Sequence, residues 1–216
     1  MKNSFFMTIE GPDGAGKTTL LNLLLPELIA KFGDEVVSTR EPGGVRISEQ
    51  IRNLVLGVEY PEMAPRTEAL LFAAARAQHM TEVILPNLEQ NKFVISDRFV
   101  DSSIAYQGAG RDLNMQAVAE INEFATNGVT PDFTLYVDVP SEVGIQRIMK
   151  NRDDANINRL DNDALEFHKK VREAYLKLAE SNPQRIFTID GTKSPEILVA
   201  ESLELIYKQL EKKVNQ

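Results

Sequence analysis

The sequence predicts an α/β fold, a five-stranded, mostly parallel sheet with helices on both faces. Five short apolar segments alternate with stretches whose leucines, isoleucines and alanines recur at helical spacing. Such alternation closes into a parallel sheet covered on both sides. The first apolar run ends directly at "GPDGAGKTT", Gly11 to Thr19, a glycine loop that opens a helix. The 216 residues suit one domain, 1–216, with no repeat and no low-complexity linker.

In chain order, "FFMTI" reads as a buried strand, and Lys17 to about Phe32 as a helix with a kink expected at Pro26. "EVVST" is a second strand, followed by the turn-rich "REPGG" and a short helix, "ISEQIRNLVLG", with Gly57 as its stop. "TEALLFAAARAQHMTEVI" is rich in helix formers. "KFVISD", "FTLYVDV" and "RIFTID" complete the strands. Helices are expected over Met115 to Ala125, Val143 to Lys150, Ala164 to Glu180 and Pro195 to about Lys212. "KNRDDANINRLDND", Lys150 to Asp163, lacks apolar periodicity. It reads either as a solvated surface loop or as a lid at about 148–162.

Composition narrows the chemistry. A net charge of −8 argues against nucleic acid as partner, so an anionic ligand must meet a local cluster of donors. The absence of cysteine removes disulfides and thiolate metal sites, and fits a reducing, cytoplasmic setting. No apolar run is long enough for a membrane span, because "LLNLLLPELIA" is broken by Asn22, Pro26 and Glu27. His79 and His168 have no metal-ligand spacing and read as surface or packing residues.

Gly11 to Thr18 fits G-x-x-x-x-G-K-[ST] in full, the pattern that binds the phosphates of a nucleoside triphosphate. Gly11, Pro12, Asp13, Gly14, Ala15 and Gly16 would turn backbone N–H groups toward phosphate oxygens, and the helix beginning at Lys17, Thr18 and Thr19 would aim its positive end at them. Lys17 would reach the β- and γ-phosphates, and the Thr18 hydroxyl would ligate Mg²⁺. Asp97, ending a strand, is placed either to hold Mg²⁺ through water or to cap a helix. Arg40 and Arg98 lie just past strand C-terminal ends, the edge where open α/β sheets bind ligands; Arg52 and Arg76 lie in helices.

"DRFVDSSIAYQGAGR" (Asp97 to Arg111) resembles the signature of thymidylate kinases, and "TREPGGV", "TEALLFAAARAQH" and "PDFTLYVDV" match the same family in the same order. The resemblance covers almost the whole chain. It implies a P-loop nucleoside monophosphate kinase fold and Mg²⁺-dependent transfer from ATP to dTMP, giving dTDP and ADP. It further implies that Phe72 stacks on thymine, that Arg76 donates to the O4 edge, and that Ser103 and Gln107 read the N3 side. Tyr106 would crowd the sugar at C2′; Arg40 and Arg98, supported by Arg52, would grip the dTMP phosphate. Asp13 would face the acceptor nucleotide rather than ATP, which accounts for a carboxylate in an anion loop. Where eukaryotic-type members carry a P-loop arginine, this chain has Gly14, so the bacterial-type alternative is implied, an arginine supplied by the lid. Arg152 and Arg159 are the two candidates, and the sequence leaves the choice open. Arg147 would lie over adenine, with "DGTKSP" on its other side. The helix from Leu70 would support a homodimer. The chain departs from the family at Phe99, where tyrosine is commoner, and at Arg46, where proline is.

Two other readings remain open from the residues. In a deoxynucleoside kinase, Glu41 would serve as the base for a hydroxyl acceptor. In an ATP-dependent regulatory protein, the P-loop would drive a switch.

Overall fold

In the computed structural model, which describes residues 4–151 and 165–214, alternation along the central strand β1 (Phe5–Glu10) sets the layers. Phe5, Met7 and Ile9 point into one core; Phe6 points into another on the opposite face. The first core is closed by Leu20, Leu21, Leu24 and Leu28 of α1 (Lys17–Phe32) and by Leu198 and Ile206 of α9 (Pro195–Val214). The second face packs on Met80, Ile84 and Leu88. The buried polar pair Thr8 and Thr134, on neighbouring central strands, is satisfied internally, Oγ1 to Oγ1 at 2.8 Å.

The sheet also contains β2 (Val36–Arg40), β3 (Phe93–Asp97), β4 (Phe133–Asp138) and β5 (Ile186–Asp190), in the order β2-β3-β1-β4-β5. Every neighbouring pair is parallel. The chain builds first to one side of β1 and then to the other. That reversal opens a crevice at the C-terminal end of β1, where the glycine loop follows.

The remaining helices are α2 (Arg46–Leu56), α3 (Pro65–His79), α4 (Leu85–Glu89), α5 (Val100–Ser103), α6 (Met115–Thr126), α7 (Ser141–Asn151) and α8 (Leu165–Ser181). Two details differ from the sequence reading. The helix expected over 67–84 starts at Pro65, a residue suited to the first turn, and continues through a π-helical stretch, Met80–Ile84, into α4. Gly57 ends α2 as expected, in an extended conformation (φ −60°, ψ 145°). A second π-helical stretch, Ile104–Gly110, follows α5, and the Arg111 N–H bonds the Tyr106 carbonyl five residues back. Of the lid expected at about 148–162, residues 148–151 belong to the last turn of α7, and the rest lies outside the described residues.

Candidate functional site

A cleft of about 720 Å³ lies at the C-terminal edge of the sheet, with Ala15 to Thr19 at one end and Phe72, Arg76, Ser103 and Gln107 at the other. The glycine loop takes its shape from backbone that side chains do not tolerate. Gly14 has φ +74°, and a Cβ there would penetrate the carbonyl oxygen of Gly144 in α7. A Cβ on Gly144 would in turn meet the Asp13 carbonyl oxygen at 2.7 Å. Two glycines thus allow loop and helix to cross at backbone contact, and an arginine at position 14 has no room. The loop delivers the chain into α1, whose first-turn N–H groups have no partner within the helix.

Lys17 is buried, and Nζ donates to the Pro12 carbonyl at 2.8 Å. Burial, and next the charge of Arg98, push its ammonium down to about 8. Arg52 donates to the Pro42 carbonyl at 2.9 Å, and burial with the nearby charge of Arg40 lowers its pKa. Arg40, the last residue of β2, donates to Glu49 Oε1 at 2.7 Å. Two cations, each held below its ordinary pKa and each with an arginine nearby, form a site that an anion relieves.

Asp13 is turned sideways out of the loop. Its carboxylate accepts from Arg98 Nη2 at 2.6 Å and from the Tyr106 hydroxyl at 3.0 Å, while its N–H donates to that hydroxyl at 2.9 Å. Arg98 follows β3 with φ +70° and also donates to the Gly11 carbonyl (3.0 Å) and to Ser102 Oγ (3.1 Å). The loop acid therefore positions Arg98 and Tyr106. Behind them, Glu10 accepts from the Phe99 N–H (2.7 Å), Ser102 (2.6 Å) and Tyr175 (2.9 Å). Burial, then Asp101, raise Glu10 to about 7 against the opposing pull of Ser102, Arg98 and Tyr175.

The Thr18 hydroxyl donates to Asp97 Oδ2 at 3.2 Å, and Asp97 Oδ1 is buried with no hydrogen-bond partner. An orphaned carboxylate oxygen beside a hydroxyl is a hard-oxygen donor set that suits Mg²⁺. Among the described residues no cluster of three or more His, Asp or Glu side chains is placed to hold a metal, so these two would act together with groups outside the protein.

The other end of the cleft is a polar network sunk in apolar packing. Glu68, Phe72, Arg76 and His79 form one stripe of α3, and all four are buried. Arg76 donates through Nε to Glu41 Oε2 (2.6 Å), through Nη1 to Ser103 Oγ (3.1 Å) and to Asn122 Oδ1, and through Nη2 to the Phe99 carbonyl (3.0 Å). His79 Nδ1 lies 2.9 Å from Glu41 Oε1, and Nε2 lies 2.6 Å from Thr39 Oγ1. Of the two readings of His79, the structure thus takes the buried one. Both oxygens of Glu41 are engaged and its side chain is 4% exposed, which removes it as a base for a hydroxyl acceptor. Phe72 is 8% exposed and packs with Val55 and Tyr106 while lining the cleft.

Arg147 donates to the carbonyls of Gly191 (3.0 Å) and Gly14 (3.4 Å), joining α7 to the glycine loop and to the turn after β5. Arg152 and Arg159 lie outside the described residues. Sequence reasoning missed Glu10, Glu68, Asn122 and Tyr175, and saw Glu41 only as a base. The spacing of Glu68, Phe72 and Arg76 was the available signal, since every fourth residue shares a helix face.

Comparison with known proteins agrees with this geometry. The thymidylate kinase family model matches residues 9–202. The chain is 64% identical over 210 residues to the thymidylate kinase of Oenococcus oeni, covering 97% of this chain and 98% of that one. It is 56% identical over 200 residues to the thymidylate kinase of Latilactobacillus sakei, covering 93% of each. A crystal structure of thymidylate kinase from Ehrlichia chaffeensis superposes with a TM-score of 0.75 at 34% identity, covering 94% of this chain and 99% of the other. The chain belongs to the thymidylate kinase family.

Proposed function

We propose that the protein transfers the γ-phosphoryl group of ATP to dTMP, giving dTDP and ADP. One observation carries the reading: two cationic sites lie along one cleft, the glycine loop with Lys17 and the cluster of Arg40, Arg52 and Arg98, and the same cleft is lined by the buried side chains of Phe72, Arg76, Ser103 and Gln107. A hydrolase needs the first site; a phosphotransferase with an anionic acceptor needs both.

ATP is held by the loop from Gly11 through Thr19, with Arg147 and the turn at Gly191 flanking adenine. Lys17 draws off charge as it moves onto the β–γ bridge. Arg98 holds the dTMP phosphate in line, Arg40 and Arg52 neutralise it, and Asp13 fixes Arg98 while Tyr106 closes the sugar side. Phe72 stacks on thymine, Arg76 faces O4, and Ser103 and Gln107 take the N3 side. The attacking group is already an anionic oxygen, so no side chain acts as a strong base, and positioning with charge neutralisation is the catalysis. Thr18 and Asp97 would hold Mg²⁺, which neutralises the phosphates when bound. The lid at about 148–162 would contribute Arg152 or Arg159 to the transferring group.

No helix among the described residues is long and apolar enough to cross a membrane. We take the setting to be cytoplasmic, and the net charge of −8 favours small nucleotides over nucleic acid as partners. Leu70 on α3 and Phe124 on α6, 55% and 91% exposed on helices that pack together, offer apolar surface that a second copy would cover in a homodimer.

The reading is tested by ADP formation from ATP and Mg²⁺ with dTMP, dUMP, dCMP, dGMP and thymidine offered singly. Turnover confined mainly to dTMP supports it. Turnover of thymidine but not dTMP would overturn the acceptor assignment, and nucleotide-independent ADP release would favour a regulatory ATPase.

A further inference from the structure

Glu68 is wholly buried one helical turn before Phe72, and its Oε1 accepts a hydrogen bond from Gln107 Nε2 at 2.7 Å. Arg111 Nε lies 3.4 Å from both of its oxygens, and the Arg111 guanidinium sits over the Phe167 ring at 4.7 Å. A carboxylate paired with a guanidinium only accepts hydrogen bonds. The end of the Gln107 amide turned toward it must therefore be the nitrogen, because the flipped amide would set oxygen against oxygen in a buried site. Oε1 is then the end turned away from Glu68. Gln107 lines the cleft beside Phe72, Arg76 and Ser103.

We propose that Glu68 is a specificity-determining positioning residue, which locks the Gln107 amide so that the base pocket presents an acceptor rather than a donor. The inference rests on the reading of this cleft as the dTMP pocket. Arginine only donates and the locked Gln107 oxygen only accepts, so the pocket offers a donor beside an acceptor. Thymine and uracil carry the complement, an accepting O4 beside a donating N3–H. Cytosine carries the reverse at both positions, an amino donor beside an accepting N3. A free glutamine would turn its amide over and satisfy either base. The Arg76 donor alone would then discriminate. Because a polar group left unpaired in a buried site costs more than a hydrogen bond gains, a fixed acceptor rejects the wrong base far better than an adaptable one.

The test is kcat/KM for dTMP and for dCMP in the Glu68→Gln variant, with the KM for ATP measured alongside. A glutamine at this position can accept or donate, which releases the lock at nearly constant volume. The preference for dTMP over dCMP is expected to fall by about tenfold, the size of one such hydrogen bond, with the ATP KM unchanged. In a Gln107→Leu background the same substitution should leave the preference where that background set it, because Glu68 acts through Gln107. Equal losses with both nucleotides, or an undiminished effect in the Gln107→Leu background, would overturn the proposal. Should Glu68→Gln not fold, a neutron structure of the unmodified protein decides the point. Amide deuterons on the Gln107 atom facing Glu68 sustain the proposal, and a deuteron on the carboxyl facing the Gln107 oxygen overturns it. An unmodified protein with no preference for dTMP over dCMP would instead sink the substrate assignment, leaving the amide geometry to the neutron result.

Discussion

At the phosphate end of the cleft the contiguous run Gly11 to Thr19 supplies backbone donors, a helix start and one lysine. At the base end Glu41, Glu68, Arg76, Gln107 and Asn122 arrive from separate parts of the chain and meet as paired, buried side chains. The first end holds charge that the fold itself disfavours, as the lowered pKa values of Lys17 and Arg52 record. The second holds charge that the fold has neutralised with partners. Function at the first end therefore costs stability, whereas at the second the same bonds shape the pocket and hold the core together.

Removing one partner from each end should separate these cases. Arg76→Met strands the Glu41 carboxylate with His79 alone and leaves Asn122 and the Phe99 carbonyl without their donor. The expected loss is about 3–5 kcal/mol of stability, read in a chain of this size as a fall in Tm of roughly 6–20 °C. Lys17→Met should do the reverse. Calorimetry should find Tm unchanged or raised, since a buried ammonium held down to about 8 is relieved, while kcat falls about 10²- to 10³-fold. A Lys17→Met variant that loses both activity and stability would erase the distinction between the two ends.

The same contrast explains what could be read from the sequence. Gly11 to Thr18 is legible because its function is local: residue types at fixed spacing determine loop, helix start and charge together. Strand β1 and helix α1 were legible for the same reason, their periodicity being a short-range signal. The Glu68–Gln107 and Glu41–Arg76 pairs span 39 and 35 residues, and Glu10 reaches Tyr175 across 165, so no window contains both partners. Charged residues in an apolar helix look like solvated positions until the partner is seen. The π-helical stretch over Ile104–Gly110 was hidden too, because a one-residue change in helix phase leaves no mark in composition.

Glu10 lies between the two ends, at the close of β1, and tests whether charge there behaves as in the first or the second. It is approached by Asp101, Arg98, Arg185 and Lys17, with Ser102 and Tyr175 as direct donors. Its pKa is raised from 4.5 to about 7, so the folded protein binds its proton more tightly than the unfolded chain does. The stability this contributes is full below about 4.5 and is lost as pH rises through 7. Urea unfolding of the wild type and of Glu10→Gln, each at pH 5 and pH 8, should show the wild type losing ground to the variant by on the order of 2 kcal/mol between the two conditions. A difference independent of pH would mean that Glu10 is charged throughout and belongs with the paired groups of the base end.

The smallest expected effect probes the rim of the anion site. Arg40 and Glu49 are 2.7 Å apart with side chains 49% and 33% exposed, a pair worth less than about 1 kcal/mol to stability. Glu49 Oε1 also accepts from the Gly44 N–H at 2.8 Å, so the carboxylate holds the loop before α2 as well as Arg40. Glu49→Gln keeps an accepting oxygen for both bonds and removes only the negative charge. If Arg40 serves the acceptor phosphate by its charge, losing the competing carboxylate should lower the dTMP KM about two- to threefold with kcat unchanged, an effect that added salt diminishes. A raised KM would show instead that Arg40 works by the direction Glu49 gives it. The rim would then be organised like the base pocket, through pairing, and only the glycine loop and Lys17 would remain as the part of the cleft where the fold carries charge it does not neutralise.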